Sequence, residues 1–261
     1  MGTISKALKL LNLFSEDTPE IGLMDFKKLS GQDKATTHRH LTELAANGFI
    51  EQNPETRKYR LGAAVLRLSA VRERTFPARR IVSQWTKVLA EEIGELVHAS
   101  LIQGSTVSPL CFHDGAKGAT RIHFSEAEIL PMHATASGLA ALAFGPSGLL
   151  EKITSAELQP YTKKTPTDPV SIEHMVEETR ANGYAFSDQA YEDEVASVAV
   201  PFYENRPTAS GTIAVAIPNS RISTTDIDAV VRHLWRVSAA ISDELGGALP
   251  PQLKEFLTKA A

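Results

Sequence analysis

The stretch from Lys34 to Gly48, KATTHRHLTELAANG, constrains this chain more than any other. Wound as a helix, it places Thr37, Leu41, Leu44 and Ala45 at i, i+4, i+7 and i+8, an apolar stripe about 100° wide. Lys34, Thr36, Arg39, His40 and Glu43 take the opposite face, Asp33 is placed to cap the start, and Gly48 stops the end. A short helix with donors on its exposed N-terminal half is what the DNA major groove can admit and read. Most amphipathic helices simply have a solvated face, so the flanking sequence has to decide.

Upstream, Ile4, Ala7, Leu8, Leu11 and Phe14 form a first helical stripe, ended by the polar run Ser15–Glu20 with Pro19. A second helix is expected at Leu23–Leu29 with Leu23, Phe26 and Leu29 inward, and Gly31 supplies the turn before the Lys34 helix. Two helices, a tight turn and a third helix give the helix-turn-helix layout. Downstream, Phe49–Gln52 and Arg57–Gly62 flank the turn Asn53–Thr56, so a hairpin is expected with Arg57, Lys58 and Arg60 on its return strand. Phosphate and the edge of the minor groove are the natural partners of such a basic wing. A protein-interaction module could share this layout. The coincidence of turn glycine, donor-rich third helix and basic hairpin favours DNA, with Lys34, Thr36, Thr37, Arg39, His40, Arg57, Lys58 and Arg60 as the candidate contacts.

Charge supports that division of labour. The net charge is −4, yet residues 1–62 carry +1, residues 63–87 carry +5 and the remainder carries −10. The first third can lie on a polyanion while the rest stays away from it. No apolar run approaches the roughly 20 residues that span a bilayer, and the lysine-broken N-terminus has no secretory core. A single cysteine, Cys111, leaves no intrachain disulfide and fits a reducing cytoplasm.

Residues 63–94 read as a helical linker, with Arg67 and Arg74 spaced for one face, an interruption at Phe76-Pro77, and a second helix through Trp85 that ends at Gly94. Arg79 and Arg80 sit in the first turn of that second helix, the wrong end for its dipole. They are either solvated or directed at acidic surface, a partner subunit or DNA.

From Leu96 the pattern changes to strands at Leu96–Gln103, Val107–His113 and Thr120–Phe124. Helices follow at Leu139–Phe144, Ser147–Ile153 and Ser171–Asn182, then strands at Tyr184–Ser187, Val195–Tyr203 and Thr208–Ile217. A long helix covers Thr225–Leu245, and Gly246-Gly247 with Pro250-Pro251 opens a loose tail at 248–261. Without a GxGxxG or a P-loop, this order indicates an α+β, sensor-like sheet.

Residues 3–62 resemble the DNA-binding domain of the IclR family of bacterial transcription regulators. The matching residues are Thr36-Thr37-His38-Arg39-His40-Leu41, the following Leu44…Gly48-Phe49-Ile50, and the Tyr-x-Leu-Gly wing exit within Arg57–Gly62. Ala35 departs from a common serine, and Gln32-Asp33 from a frequent leucine-proline pair. Leu130–Ala143 and Gly183–Phe202 resemble the two signature regions of the family's GAF-like effector domain. The resemblance implies a winged helix-turn-helix at 1–62, joined by the helical linker 63–94 to a GAF-like α/β effector-binding domain at 95–247. It also implies dimers that pair into tetramers, and a pocket at Ala136, Ser137, Gly138, Ser187, Ser197, Ala214 and Ala216. Ser187 and Ser197 stand where some members have Asp and Cys, and Ala214 and Ala216 where those members have serines.

Catalysis is the weaker class. There is no Gly-x-Ser-x-Gly elbow. Cys111 and His113 form an i, i+2 pair on a strand, where a cysteine usually packs. Glu192, Asp193 and Glu194 read as solvated loop charge, and nothing fixes His123 and His133 as a metal pair. No catalytic residue, metal or cofactor is therefore assigned. The expected function is a cytoplasmic, homo-oligomeric regulator whose grip on an operator answers to an organic acid with an apolar or aromatic body. Its carboxylate is expected on the amides around Ser137. An enzyme or ligand carrier with a vestigial winged helix is the competing expectation.

Overall fold

The computed structural model describes residues 2–75, 78–118 and 120–258, the side chain of Thr258 aside. It forms two compact units, Met1–Pro77 and Ala78–Ala261. The interruption expected at Phe76-Pro77 lies outside the described residues.

The first unit contains α1 (Thr3–Leu11), α2 (Leu23–Ser30), α3 (Lys34–Ala46), the hairpin β1 (Ile50–Gln52) and β2 (Tyr59–Leu61), and α4 (Ala63–Thr75). Leu10, Ile21, Phe26, Leu41, Leu44, Ile50 and Tyr59 make its core. At the centre Phe26 meets Phe14 and Tyr59 edge-on, with ring centroids 5.5 and 6.2 Å apart, a preferred aromatic geometry. So small a core engages only one narrow strip of each helix. Leu10 takes the buried position on α1, whereas Ile4 (76% exposed) and Leu8, expected inward, face out. Leu29 of α2 is likewise 56% exposed. The hairpin leaves through Gly62, whose Cα lies so close to Gly48 that a side-chain carbon there would stand 2.3 Å from the Gly48 carbonyl oxygen. None of the residues of α4 is buried.

The second unit is a five-stranded antiparallel sheet with helices on both faces. Its elements are α5 (Ala78–Ile93), β3 (Leu96–Gln103), β4 (Thr106–Asp114), α6 (Ala136–Phe144), α7 (Leu149–Thr154), α8 (Pro169–Asn182), β5 (Ala185–Asp188), β6 (Val195–Phe202), β7 (Gly211–Pro218), α9 (Asn219–Ile222), α10 (Ile227–Glu244) and α11 (Pro251–Thr258). The strand order is β4-β3-β7-β6-β5. On one face α5 and α10 bury Val82, Leu89, Leu234 and Ile241 against Val97, Val198, Ile213 and Val215. On the other, α6 lies over Ala185, Ala199 and Ala214, which are cross-strand neighbours. Three alanines in a row let a helix built of Ala and Leu approach the sheet closely, which is why this face carries so little bulk.

Three expectations change here. The helix read as the second half of the linker, α5, is part of this core, because its period places Val82, Thr86, Leu89 and Ala90 on one buried face. Residues 120–124 form no strand, and Leu130 instead bridges to Val107. Through Leu257 the tail is not loose: Leu249 is buried ahead of α11, which seats Leu253 in the core and stacks Phe256 on Trp235 at 6.0 Å.

Candidate nucleic-acid interface and ligand cavity

Helix α3 begins at Asp33, whose carboxylate accepts from the Thr36 N–H at 2.9 Å. That bond, the largest influence on Asp33, holds its carboxyl below the ordinary value. Thr37, His40, Leu41 and Leu44 form the buried side. The Thr37 hydroxyl donates to the Asp33 carbonyl at 2.9 Å, and His40 Nδ1 lies 2.9 Å from Gln32 Oε1. Burial, followed by the charges of Arg39 and Lys6, lowers the pKa of His40. Thr37 and His40 were both expected to contact DNA, and both face the protein instead. What remains outward is Lys34, Ala35, His38, Arg39, Thr42, Glu43 and Ala46, with Thr36 half-exposed. His38 and Thr42 are additions to the expected set. Had His40 been counted with Thr37, Leu41 and Leu44, the complementary row 35, 38, 39, 42 would have followed from the helical period.

In the wing, Asn53 Oδ1 accepts from the amides of Glu55 and Thr56, closing the turn. Arg57 takes a left-handed backbone, φ 59°, and is exposed with Lys58 at the tip, before β2 begins rather than on it. Arg60 is on β2, where Glu51 accepts from it at 2.6 Å and Glu20 lies 4.0 Å away. Its charge is thus partly answered within the unit.

The cavity lies in the second unit, between the start of α6, the ends of β3, β6 and β7, and the irregular segment before Leu130. It holds about 60 Å³, room for a few waters or the core of a small ligand. Of the expected residues, Ser137, Ser187, Ser197 and Ala216 line it; Ala136 and Ala214 are packing residues between α6 and the sheet. Gly138 serves neither role. Its amide donates to the capping hydroxyl of Thr135 at 3.0 Å, and a side-chain carbon on it would stand 2.3 Å from the Met132 backbone. Ala136 and Ser137 occupy the first turn of α6, where an amide has no helix carbonyl to bond. Ser187 donates to the Ala134 carbonyl at 3.0 Å. The Ser137 hydroxyl and His98 Nδ1 are buried on the cavity wall with no partner among the described residues. His98 stacks on Phe124 at 4.4 Å, and burial pulls its pKa down to about 4, so the ring is neutral in the physiological range.

Two family models match the chain: the IclR helix-turn-helix domain over residues 3–54, and the bacterial transcriptional regulator IclR C-terminal region over residues 74–243. The chain belongs to the IclR family. The HTH-type transcriptional regulator XynR of Escherichia coli K12 is 29% identical over 248 residues, 94% of this chain and 97% of its own. An IclR transcriptional regulator from Silicibacter sp. TM1040 has a crystal structure 39% identical in sequence, with a TM-score of 0.88, covering 96% of this chain and 99% of that one. An IclR homologue from Microbacterium hydrocarbonoxydans, crystallised with 4-hydroxybenzoate, shares the fold at 19% identity, with a TM-score of 0.72 over 94% and 99% of the two chains.

As an IclR-family protein it is a transcriptional regulator with a helix-turn-helix and an effector-binding domain, not an enzyme. The side chains considered for chemistry fit that class. Cys111 is in the core, 3.6 Å from the Thr86 hydroxyl. His133 Nε2 lies 2.9 Å from the Gln159 carbonyl, while His123 stands on the cavity. Among the described residues no group of His, Cys, Asp or Glu is placed to hold a metal, and no helix is long and apolar enough to cross a membrane. Arg79 does face acidic surface, pairing with Glu126 at 2.6 Å. Glu192, expected to be plain solvated charge, is part of the cavity wall.

Proposed function

We propose that this regulator binds double-stranded operator DNA through α3 and the wing, and that an organic acid in the second unit's cavity sets its affinity. The observation that carries the first half is the outward row on α3. His38, Arg39 and Thr42 occupy successive positions on one face, flanked by Lys34. That is the form in which a recognition helix presents side chains to base edges. Lys34, Arg57 and Lys58 serve phosphates. The left-handed backbone of Arg57 closes the hairpin turn, with its amide donating to the Asn53 carbonyl at 2.9 Å, and leaves the side chain exposed. Arg60, already paired, contributes less.

The ligand's carboxylate sits at the Ala136 and Ser137 amides beside the free Ser137 hydroxyl, and its body lies against Phe124, His98 and Ala216. A related fold that accepts 4-hydroxybenzoate is consistent with an aromatic acid. A homodimer, or a pair of dimers, is the working form. The apolar Leu66, Leu68 and Val71 of α4 are exposed, as are Ile4 and Leu8 of α1, and paired half-sites would supply the affinity that a single winged helix lacks. The cytoplasm is its place of work.

The test is a duplex selected from random sequence, followed by gel shift with and without a carboxylate chosen by thermal shift. A ligand at 100 times its Kd raises stability by about 2.7 kcal/mol. The expected result is a retarded band on inverted or paired sites, changed by the acid. Failure to select any duplex, or stabilisation by neutral sugars alone, overturns the proposal.

A further inference from the structure

Every permanent charge on the cavity wall is negative. Glu128 and Glu192 stand at the mouth, and no Lys or Arg lines the cavity. Tyr191 donates its hydroxyl to Glu128, and its pKa is raised by burial and by that acceptor. The second Glu128 oxygen and the Glu192 carboxylate are left as acceptors. Burial first, and then the charge of Glu128, pushes Glu192 up, while His123 works against the shift. The two acids thus already press on one another. His98 is neutral and cancels none of this charge.

Another part of the same wall has the opposite character. The start of α6 offers amides and the positive end of its dipole. The Ser137 hydroxyl, 1% exposed, has no partner among the described residues. The wall also carries the apolar Phe124, Leu130, Val195 and Ala216. A simple monoacid satisfies the start of α6 and leaves the two carboxylates unanswered. A simple amine does the reverse.

We infer that the effector is zwitterionic, with a carboxylate at the start of α6 and an ammonium group facing Glu128 and Glu192. This rests on the reading of the cavity as the effector site and adds the charge of the ligand's second end. Glu128 and Glu192 are exposed, so solvent weakens the attraction and no more than roughly a tenfold gain in affinity is expected from the ammonium group.

Calorimetry on the full chain with three probes tests it: 4-(aminomethyl)benzoate, 4-methylbenzoate and benzylamine. The first should bind tighter than either of the others, by up to roughly tenfold. In Glu192→Gln, and separately in Glu128→Gln, the ratio between 4-(aminomethyl)benzoate and 4-methylbenzoate should shrink. If 4-methylbenzoate binds as tightly as the amino acid, the zwitterion is refuted and the carboxylate site stands. If benzylamine equals the amino acid, the carboxylate end is wrong. If none of the three binds, both the inference and the effector-site reading on which it rests fall.

Discussion

Helices α3 and α6 begin alike and are used in opposite ways. Each has a side chain at its N-cap that accepts from the amide three residues on, Asp33 from Thr36 and Thr135 from Gly138. Helix α3 then keeps a polar flank in solvent, so its side is what it can offer a partner. Helix α6 buries every residue from Ala136 to Leu142, so only its end remains available. Under the proposed function the same local start therefore serves a reading surface in one unit and a donor site in the other. What separates them is how much of the helix the core consumes.

That contrast can be broken most severely at Gly138. In Gly138→Ala the new carbon meets the Met132 backbone at 2.3 Å, and α6 must move. A loss of about 3 kcal/mol is expected, at the upper end for overpacking. Urea unfolding followed by tryptophan fluorescence reads it cleanly, because Trp85 and Trp235 both belong to the second unit. An unshifted midpoint would mean that α6 is not wedged against that backbone. Next in size is Arg39→Ala on α3, which should weaken operator binding by about 2 kcal/mol and relax base preference while leaving the urea midpoint alone. A variant that binds as well as the parent removes Arg39 from the reading surface.

The caps sharpen the contrast at the smallest scale. Thr135→Val should lower the second unit's stability by about 1 kcal/mol, equally at every pH near neutrality. The Asp33 cap is different, because its carboxyl is held below the ordinary 3.8. Its contribution is whole above that value and is lost as pH falls through the lowered one. Asp33→Asn should keep the cap and remove Asp33's share of the acid dependence, measured as the helical circular-dichroism signal between pH 5 and pH 2. Identical acid curves for parent and variant would show that the Asp33 bond does not form in solution.

Elements with a strong period were legible in the sequence. Leu96–Gln103 appears as β3 with the same ends, and α3 has its cap where Asp33 announced it. The misses come where burial is decided by neighbours far along the chain. His40 carries a polar ring, yet Gln32 reaches it and closes it off, so polarity misassigned its face. Ile122 and Phe124 alternate with polar residues as a strand would, but the ladder position beside β4 is taken by Leu130 and both side chains turn to the cavity. Leu253, Phe256 and Leu257 do have helical spacing; the glycines and prolines before them masked a helix that docks on Trp235. Of the cavity residues, the serines followed from a resemblance. Glu128 and Tyr191 carried no local signal, because only the folded sheet brings them together.

The burial of Cys111 settles a practical matter for anyone who wants to watch this regulator move. It is the sole cysteine of the chain, and burial pushes its thiol up to about 11. At neutral pH only about one chain in ten thousand carries the thiolate that maleimides attack. A cysteine placed at exposed Glu55 in the wing would therefore be the one reactive handle. A fluorophore there would report the proposed docking of the wing on DNA, with the native residue left in place.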